Sequence, residues 1–518
     1  MSALAPSTVR AVVVDAPGGI PEGLLDAFWA YDDALLSNDV AALDDAFAPG
    51  PDTIRGDGTT VVVGWEAISR FRAARTVVPT RRVAAVHIRI PADGVAVIVA
   101  DVVGPTGTPG MQTQVWERQA DRWRVIAAHV TAPEKPLDRS TWRVVGTPLV
   151  EPTASGPLDG MTVAVKDLFA VAGQVIGGGV PEVAAEAPVE AEHSPVVADL
   201  LASGASVLGI ASTDQFAYSI AGTNGRTGTP LNVADPAGIP GGSSSGPASA
   251  TARGWTTIGL GTDTAGSIRV PSAYQGLWGL RTTHGLVPTA RVLPLAQSFD
   301  SVGWMTRDAA TLQAVTDALV PGDPVDEEAP LVVVPSLTAL AVPAVADAVA
   351  ATARALGATV DHTLGADIEA WFHAFRTVQA FEAWRNHGDW ITSHPGALSV
   401  DVAGRFAVAS RVTDAEFADA GAVVGSAREM LREWLGERIL LLPTVADRAP
   451  RLGADAASID AHRAATLRLT SLASLAGLPA LAAPLGPPTP DGPPVSVCLV
   501  GAPGTDRAIV RFAGRLRT

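Results

Sequence analysis

Cysteine and lysine are nearly absent from this sequence. A single cysteine among 518 residues excludes an intrachain disulfide framework, and its setting in PVSVCLVG predicts that Cys498 is a buried strand thiol rather than a nucleophile. The 37 basic residues are arginines except for Lys135 and Lys166. Because lysine can lose its proton and arginine cannot readily do so, a lysine in this background is a candidate for proton chemistry.

Long apolar runs and excess positive charge are also missing. No stretch has the length of a membrane helix, and the N-terminus lacks the basic and apolar regions of a secretion signal, so we expect a cytoplasmic protein. A formal net charge of -16 argues against binding to nucleic acid or to an anionic membrane surface. No His, Cys or carboxylate cluster has metal-ligand spacing, so we expect neither a metal nor an organic cofactor.

The first part of the chain predicts a small domain over residues 21–132, after an N-terminal tail at 1–20. Apolar residues spaced as one helical face come first, and they are followed by two hairpins that turn at the ADG segment and near Ala120 and Asp121. Helices followed by a curled antiparallel sheet resemble the α+β cone of the nuclear transport factor 2-like (SnoaL-like) superfamily. The segments SRFRAARTVVPTRRV and QTQVWERQADRWRVIAAHVT further resemble the AtzH-like domain found beside amidases of cyanuric-acid breakdown.

Four basic residues of this domain are open to two interpretations. Arg72, Arg75, His87 and His129 could line a pocket that holds a carboxylate. Arginines on a short helix more often form a solvated face, which is the interpretation we favour. The domain's superfamily includes enzymes and pure dimerisation modules, so fold alone does not decide its role. We expect a homodimer formed through its sheet, which light scattering would test.

A Pro- and Gly-rich stretch over residues 133–155 is predicted to be a linker, and residues 156–518 form the second domain. Apolar strand-like runs such as MTVAVKDLF, TTIGLGTD and RILLLPT alternate there with helical runs such as AVADAVAATARALG. This alternation predicts a layered α/β domain.

The segment GGSSSG, residues 241–246, could be a flexible linker or part of a catalytic site. Two other segments favour catalysis. Lys166 lies in TVAVKDLFAV, where burial would lower its pKa and allow it to act as a base. In GTDTAGSIR, small residues precede Ser267, so that successive backbone N–H groups could converge as an oxyanion hole requires.

From about Leu158 onwards the chain resembles the amidase signature hydrolases, and GGSSSGPASATARGWTTIGLGTDTAGSIRVPS carries the resemblance most specifically. The resemblance implies an α/β fold with a mixed central sheet covered by helices, and a Ser-cisSer-Lys triad of Ser267, Ser243 and Lys166. It also implies that the Gly242–Ser243 peptide is cis.

Around this triad the resemblance implies an oxyanion hole made by the backbone N–H groups of Thr264, Ala265, Gly266 and Ser267. We expect Asp263 and Arg269 to brace that loop rather than to touch substrate. Two positions depart from the family pattern. Alanine replaces the usual glycine at 265, and Gln215 stands where many relatives have glutamate.

The sequence therefore predicts an amidase that forms an acyl-enzyme on a small-molecule amide and releases ammonia or an amine. Segments such as LWGLRTTHG and EAWRNHGDWITS are most similar to the plant indole-3-acetamide hydrolase branch, which favours an aryl or simple amide. The small domain instead favours a ureido or carboxybiuret-type compound. A partner-dependent amidotransferase subunit or a binding scaffold is the alternative of another class.

Overall fold

The structure is a computed structural model that describes residues 12–57, 61–73, 81–103, 109–131, 138–322, 329–365, 367–486 and 495–516. The chain separates into two compact units, Met1–Pro136 and Leu137–Thr518, here called unit 1 and unit 2. Each unit has a hydrophobic core of its own.

Unit 1 combines helices with a seven-stranded sheet of order β1-β4-β5-β6-β7-β2-β3. Its strands are β1 Val13–Asp15, β2 Ile54–Asp57, β3 Val61–Val63, β4 Arg82–Ala92, β5 Val95–Val103, β6 Pro109–Gln119 and β7 Arg122–Thr131. Its helices are α1 Leu24–Ser37, α2 Val40–Ala46 and α3 Trp65–Ala73.

The two predicted hairpins of unit 1 are confirmed, because β4 pairs with β5 and β6 with β7 around the turns that the sequence indicates. The predicted face of α1 is also buried, with Leu24, Phe28, Tyr31 and Leu35 in the core. The sheet is mixed rather than wholly antiparallel as predicted. Strand β1 runs parallel to β4 and β2 runs parallel to β7, and the sequence analysis found neither β1 nor β2.

Unit 2 is built on an eleven-stranded sheet of order β15-β14-β16-β18-β17-β12-β13-β11-β9-β10-β8. Its strands are β8 Trp142–Val150, β9 Thr162–Lys166, β10 Ser206–Ala211, β11 Ile258–Asp263, β12 Trp278–Arg281, β13 Ser301–Thr306, β14 Leu331–Val333, β15 Thr359–Val360, β16 Ile439–Pro443, β17 Ala480–Pro484 and β18 Ser496–Val500. Its helices are α4 Pro181–Glu186, α5 Pro195–Ala202, α6 Ser245–Ala252, α7 Arg269–Gln275, α8 Ala309–Leu319, α9 Pro335–Thr338, α10 Pro343–Ala355, α11 Ile368–Ser393, α12 Val400–Ala409, α13 Asp414–Leu435, α14 Ala456–Ala476 and α15 Asp506–Ala513.

The strands of unit 2 pair in both directions, which gives the mixed α/β architecture that the sequence predicts. The predicted linker at 133–155 differs, because β8 lies inside it and pairs antiparallel with β10. At the centre, β9 and β11 are parallel neighbours. Since the carboxyl ends of parallel strands meet at one sheet edge, Lys166 and the loop after Asp263 lie close together.

Candidate active site

Lys166 is the last residue of β9 and is fully buried. Its Nζ lies 2.8 Å from Oγ of Ser243 and 2.8 Å from Oγ1 of Thr262. Burial lowers the pKa of Lys166 to about 7, although nearby carboxylates oppose this shift. A substantial fraction of this amine is therefore neutral at neutral pH and able to accept a proton.

Ser243 lies in the loop that leads into α6, and the peptide bond that joins it to Gly242 is cis. The Ser243 carbonyl accepts a hydrogen bond from Thr213 Oγ1 at 2.9 Å. Gly242 is tightly enclosed, because a Cβ at this position would lie 2.5 Å from the backbone nitrogen of Gly222. Neighbouring residues thus fix the backbone on both sides of the cis peptide bond. The Ser243 hydroxyl lies within hydrogen-bond distance of Lys166.

Ser267 lies in the loop between β11 and α7. Its carbonyl accepts the N–H of Ser244 at 3.2 Å, which holds it beside the loop that carries Ser243. Within the described ranges the Ser267 hydroxyl has no protein hydrogen-bond partner, and Ser267 borders a small cavity together with Ala265 and Tyr218. This hydroxyl is available to a ligand.

The loop that carries Ser267 is held by a buried ion pair. Asp263 accepts from Arg269 Nε at 3.0 Å and Nη2 at 2.8 Å, and Arg269 Nη1 donates to the Thr470 carbonyl at 2.8 Å. Burial alone would raise the pKa of Asp263, but the Arg269 and Arg281 guanidiniums hold it well below its usual range. The carboxylate therefore stays charged and also accepts backbone N–H groups of the loop.

The N–H group of Gly266 is hydrogen-bonded within the loop, although the family resemblance implies that it faces the oxyanion. Its N–H donates to Asp263 Oδ1 at 2.7 Å, so this group is already occupied and does not point to an open oxyanion position. In contrast, the N–H groups of Thr264, Ala265 and Ser267 have no acceptor in the part of the chain that the structure describes. The φ angle of Ala265 is not positive, so alanine is accommodated there without backbone strain.

Gln215, His284 and Cys498 of unit 2 have structural surroundings. The buried Gln215 accepts from the N–H of Ser399 at 2.8 Å and from its hydroxyl at 2.6 Å, so its amide joins two segments of unit 2. His284 lies 2.9 Å from the Gln297 carbonyl, on the surface of unit 2. Cys498 is buried in β18, as predicted, and burial raises the pKa of its thiol to about 11.

Of the four basic residues proposed for a pocket in unit 1, the three that the structure describes have separate surroundings. Arg72 is buried, donates to the Leu43 carbonyl at 2.8 Å and stacks on an aromatic ring, so a solvated face is the wrong interpretation for it. His87 and His129 lie on the outward face of the sheet, His129 exposed and His87 between two aspartates. Arg75 falls outside the described residues.

Unit 1 nevertheless contains a group of buried donors that the sequence analysis missed. Four buried nitrogens have no hydrogen-bond partner among the described residues: Arg72 Nη2, Arg81 Nη1, Gln112 Nε2 and Gln114 Nε2. Gln112 and Gln114 are two residues apart on β6 and therefore share the inward face of the sheet. The sequence shows only two glutamines at i and i+2 in a strand, a spacing that does not reveal their burial. Such donors suit a ligand rich in carbonyl or carboxylate oxygens.

Across the described ranges, no group of three or more His, Cys, Asp or Glu side chains could hold a metal ion. Over the same ranges, no helix has the length and apolar character needed to cross a membrane.

Comparison with known families matches both units. A family described as "Amidase" matches residues 149–371, and one described as "AtzH-like" matches residues 13–135. "Amidase 1" of Oryza sativa subsp. japonica is 34% identical over 400 residues, which cover 70% of this chain and 92% of the relative. The "1-carboxybiuret hydrolase subunit AtzE" of Pseudomonas sp. (strain ADP) is 31% identical, covering 70% of this chain and 84% of the relative.

Solved structures of similar proteins also include an amidase and a protein complex linked to an s-triazine catabolic enzyme. A "Crystal structure of amidase" aligns with a TM-score of 0.63 at 31% identity, covering 70% of this chain and 85% of that one. A structure described under the evolutionary origins of an s-triazine catabolic enzyme aligns with a TM-score of 0.64 at 29% identity, covering 70% of this chain and 84% of that one.

Proposed function

The chain belongs to the amidase signature family and carries an AtzH-like N-terminal domain, and from this premise we propose that it cleaves the C–N bond of a small amide through Lys166, Ser243 and Ser267. One observation carries the proposal. A fully buried lysine with a pKa lowered to about 7 lies 2.8 Å from the hydroxyl of Ser243, in the loop beside Ser267.

In the proposed mechanism Ser267 Oγ attacks the amide carbon. Its proton passes to Ser243 Oγ while the proton of Ser243 passes to the neutral amine of Lys166. The negative charge that develops on the carbonyl oxygen is stabilised by backbone N–H groups of Thr264, Ala265 and Ser267, which have no acceptor among the described residues. Gly266 supports this loop through its hydrogen bond to the aspartate before it, rather than donating itself.

Collapse of the tetrahedral intermediate breaks the C–N bond. The Lys166 ammonium returns its proton through Ser243 to the departing nitrogen, so that ammonia or an amine leaves and Ser267 holds the acyl group as an ester. Water then attacks this ester with Lys166 and Ser243 as the proton acceptors, which releases the carboxylate and restores the free serine. Every proton in the cycle is carried by residues of this chain.

A ureido or carboxybiuret-type compound is the second candidate substrate. The relative named as a 1-carboxybiuret hydrolase subunit supports it, as does the AtzH-like match of unit 1. The buried donors of unit 1 add a structural argument, because ureido carbonyls and carboxylates would supply the acceptors that these nitrogens lack.

Ammonia release from a panel of amides tests the proposal. The panel holds indole-3-acetamide, benzamide, biuret and ureido acids, and the variants are Lys166→Ala and, as the matched control, the chain's other lysine changed as Lys135→Ala. We expect Lys166→Ala to lower kcat by about 10²–10⁴-fold, because general acid–base catalysis contributes about that much. Lys135→Ala should keep wild-type activity.

Labelling with a fluorophosphonate identifies the nucleophile separately. Wild type should be labelled on Ser267, and Ser267→Ala should not be labelled. Full activity in Lys166→Ala, labelling of Ser267→Ala, or hydrolysis of no amide in the panel would each contradict the proposed mechanism, the last in favour of a partner-dependent protein.

A further inference from the structure

The cavity beside Ser267 has one polar wall that the proposed mechanism does not use. Arg463, Tyr218 and Gln379 border it together with Ala265, and they come from three separate segments of unit 2. Arg463 lies on α14, Gln379 on α11, and Tyr218 follows a short 3-10 turn. A pocket in which a few polar groups converge on a nucleophile is the usual form of a substrate subsite.

Arg463 is half-buried and lacks the partners that an enclosed guanidinium normally has. Its Nε is buried without a hydrogen-bond partner, and it makes no ion pair with any residue that the structure describes. Arg468, five residues further along the same helix, shows the contrast, because it donates to both oxygens of Glu369 at 2.5 and 2.8 Å. A buried charge without a counter-charge is unfavourable unless a ligand supplies one.

The surroundings of Arg463 are positively charged. Burial and the charges of Arg405 and Arg376 lower the pKa of Arg463 to about 10, while Tyr218 and Asp460 oppose this shift. Arg463 therefore remains charged at neutral pH. Arg405 is paired with Asp401 at 3.3 Å, whereas Arg376 has no ion pair among the described residues. Arg463 and its two arginine neighbours thus carry more positive charge than Asp401 and Asp460 offset.

We infer that Arg463 binds a carboxylate of the substrate, so that the enzyme acts on small amides which carry a second, anionic group. This inference rests on the proposed hydrolysis at Ser267. A guanidinium presents parallel N–H groups that match a carboxylate, and the amide of Gln379 and the hydroxyl of Tyr218 border the same space. Arg463 is then a specificity residue, which touches the substrate but takes no part in proton transfer.

Hydrolysis of charged and neutral isosteres tests the inference. The acids are malonamate, succinamate and glutaramate, and each is compared with the methyl ketone amide of equal length: 3-oxobutanamide, 4-oxopentanamide or 5-oxohexanamide. Wild type should prefer at least one acid by about tenfold or more in kcat/KM. Arg463→Gln should lower that kcat/KM by about ten- to hundredfold and change the ketone amides less than about threefold. Arg463→Lys should recover part of the loss, and Arg468→Gln should behave as wild type.

Binding of malonate, succinate and glutarate, measured by calorimetry on the same full-length proteins, separates this inference from the proposed function. Binding to wild type that is weakened by Arg463→Gln but not by Arg468→Gln supports the inference even where no amide is hydrolysed, in which case only the proposed function fails. Hydrolysis of neutral amides as efficient as that of the acids overturns the inference alone. An equal loss on acids and ketones in Arg463→Gln also overturns it, because it indicates a structural role.

Discussion

At the scale of single residues, the protonation of Lys166 is the property on which the proposed chemistry depends. Burial lowers the pKa of its amine, while the charges of three carboxylates raise it: Asp214, Asp263 and Asp300. Asp263 is held ionised by arginines, whereas burial raises the pKa of Asp214 and of Asp300 to about 6 in each case. The lysine is therefore sensitive to its neighbours as well as to burial.

The pH dependence of kcat/KM follows from this environment. The base is the neutral amine, which predominates above its pKa, so kcat/KM should rise with pH through a midpoint near 7. In Asp300→Asn a negative neighbour is removed, the ammonium form is less stabilised, and the midpoint should move to lower pH. Steady-state rates on one amide from pH 5 to 9 measure the midpoints of the wild type and of Asp300→Asn. A rising limb that disappears in Asp300→Asn would assign it to that carboxylate and contradict a lysine base.

The role of a residue could be predicted from the sequence where its type is rare in the chain and its side chain suits the proposed chemistry. Lys166 could be identified because it is one of two lysines and lies in an apolar strand. Arg463 could not, since Arg463 and Arg468 look alike in the helical run AHRAATLRL. Only packing distinguishes them, because one faces a carboxylate of α11 and the other borders the cavity of Ser267.

At the scale of elements, the loop between β11 and α7 positions both the nucleophile and its N–H donors. Gly266 has φ +124°, a conformation that residues with a side chain rarely adopt. A Cβ there would also lie 3.0 Å from Val270 Cγ2 and 3.1 Å from Thr470 Oγ1. Backbone freedom and lack of space thus both require glycine at 266, whereas neither requires it at 265.

We therefore expect Gly266→Ala and Ala265→Gly to behave differently. Gly266→Ala should destabilise the fold by about 1–3 kcal/mol through backbone strain, and lower kcat by at least about tenfold because the donors around it shift. Ala265→Gly introduces the usual family residue and should keep kcat within about threefold. Thermal unfolding and steady-state kinetics on a single amide measure these effects. Wild-type kcat in Gly266→Ala would argue against this loop as the oxyanion site.

The secondary structure of unit 2 was predictable where strands are completely buried. β9 and β16 appear in the sequence as short, mainly apolar runs, as expected for strands covered on both faces. β11 is as completely buried, although it ends in Thr262 and Asp263. β8 was mistaken for linker because its side chains are mostly half-buried and its sequence contains a Gly-Thr-Pro segment typical of turns. The long helix α11 was also missed, since its apolar residues lie around the helix rather than along one stripe.

At the scale of the whole molecule, each unit contains a candidate site of its own. The proposed triad and Arg463 lie in unit 2, and the buried donors lie in unit 1. The sequence could predict both units from their patterns. It could not predict the inward donors of unit 1, because glutamines on a strand usually face solvent. The expected homodimer stays a prediction.

Expression of residues 137–518 alone tests how far unit 2 acts by itself. Because each unit has a separate hydrophobic core, we expect this fragment to fold and to show a cooperative thermal transition. Since the residues of the proposed mechanism all lie in unit 2, its kcat/KM on simple amides should stay within about threefold of the full chain. If the buried donors of unit 1 bind ureido acids, the kcat/KM of the fragment on these acids should fall by more than about threefold. The full chain carrying Gln112→Leu and Gln114→Leu should show the same decrease. A folded fragment inactive on every amide would contradict the assignment of catalysis to unit 2 alone.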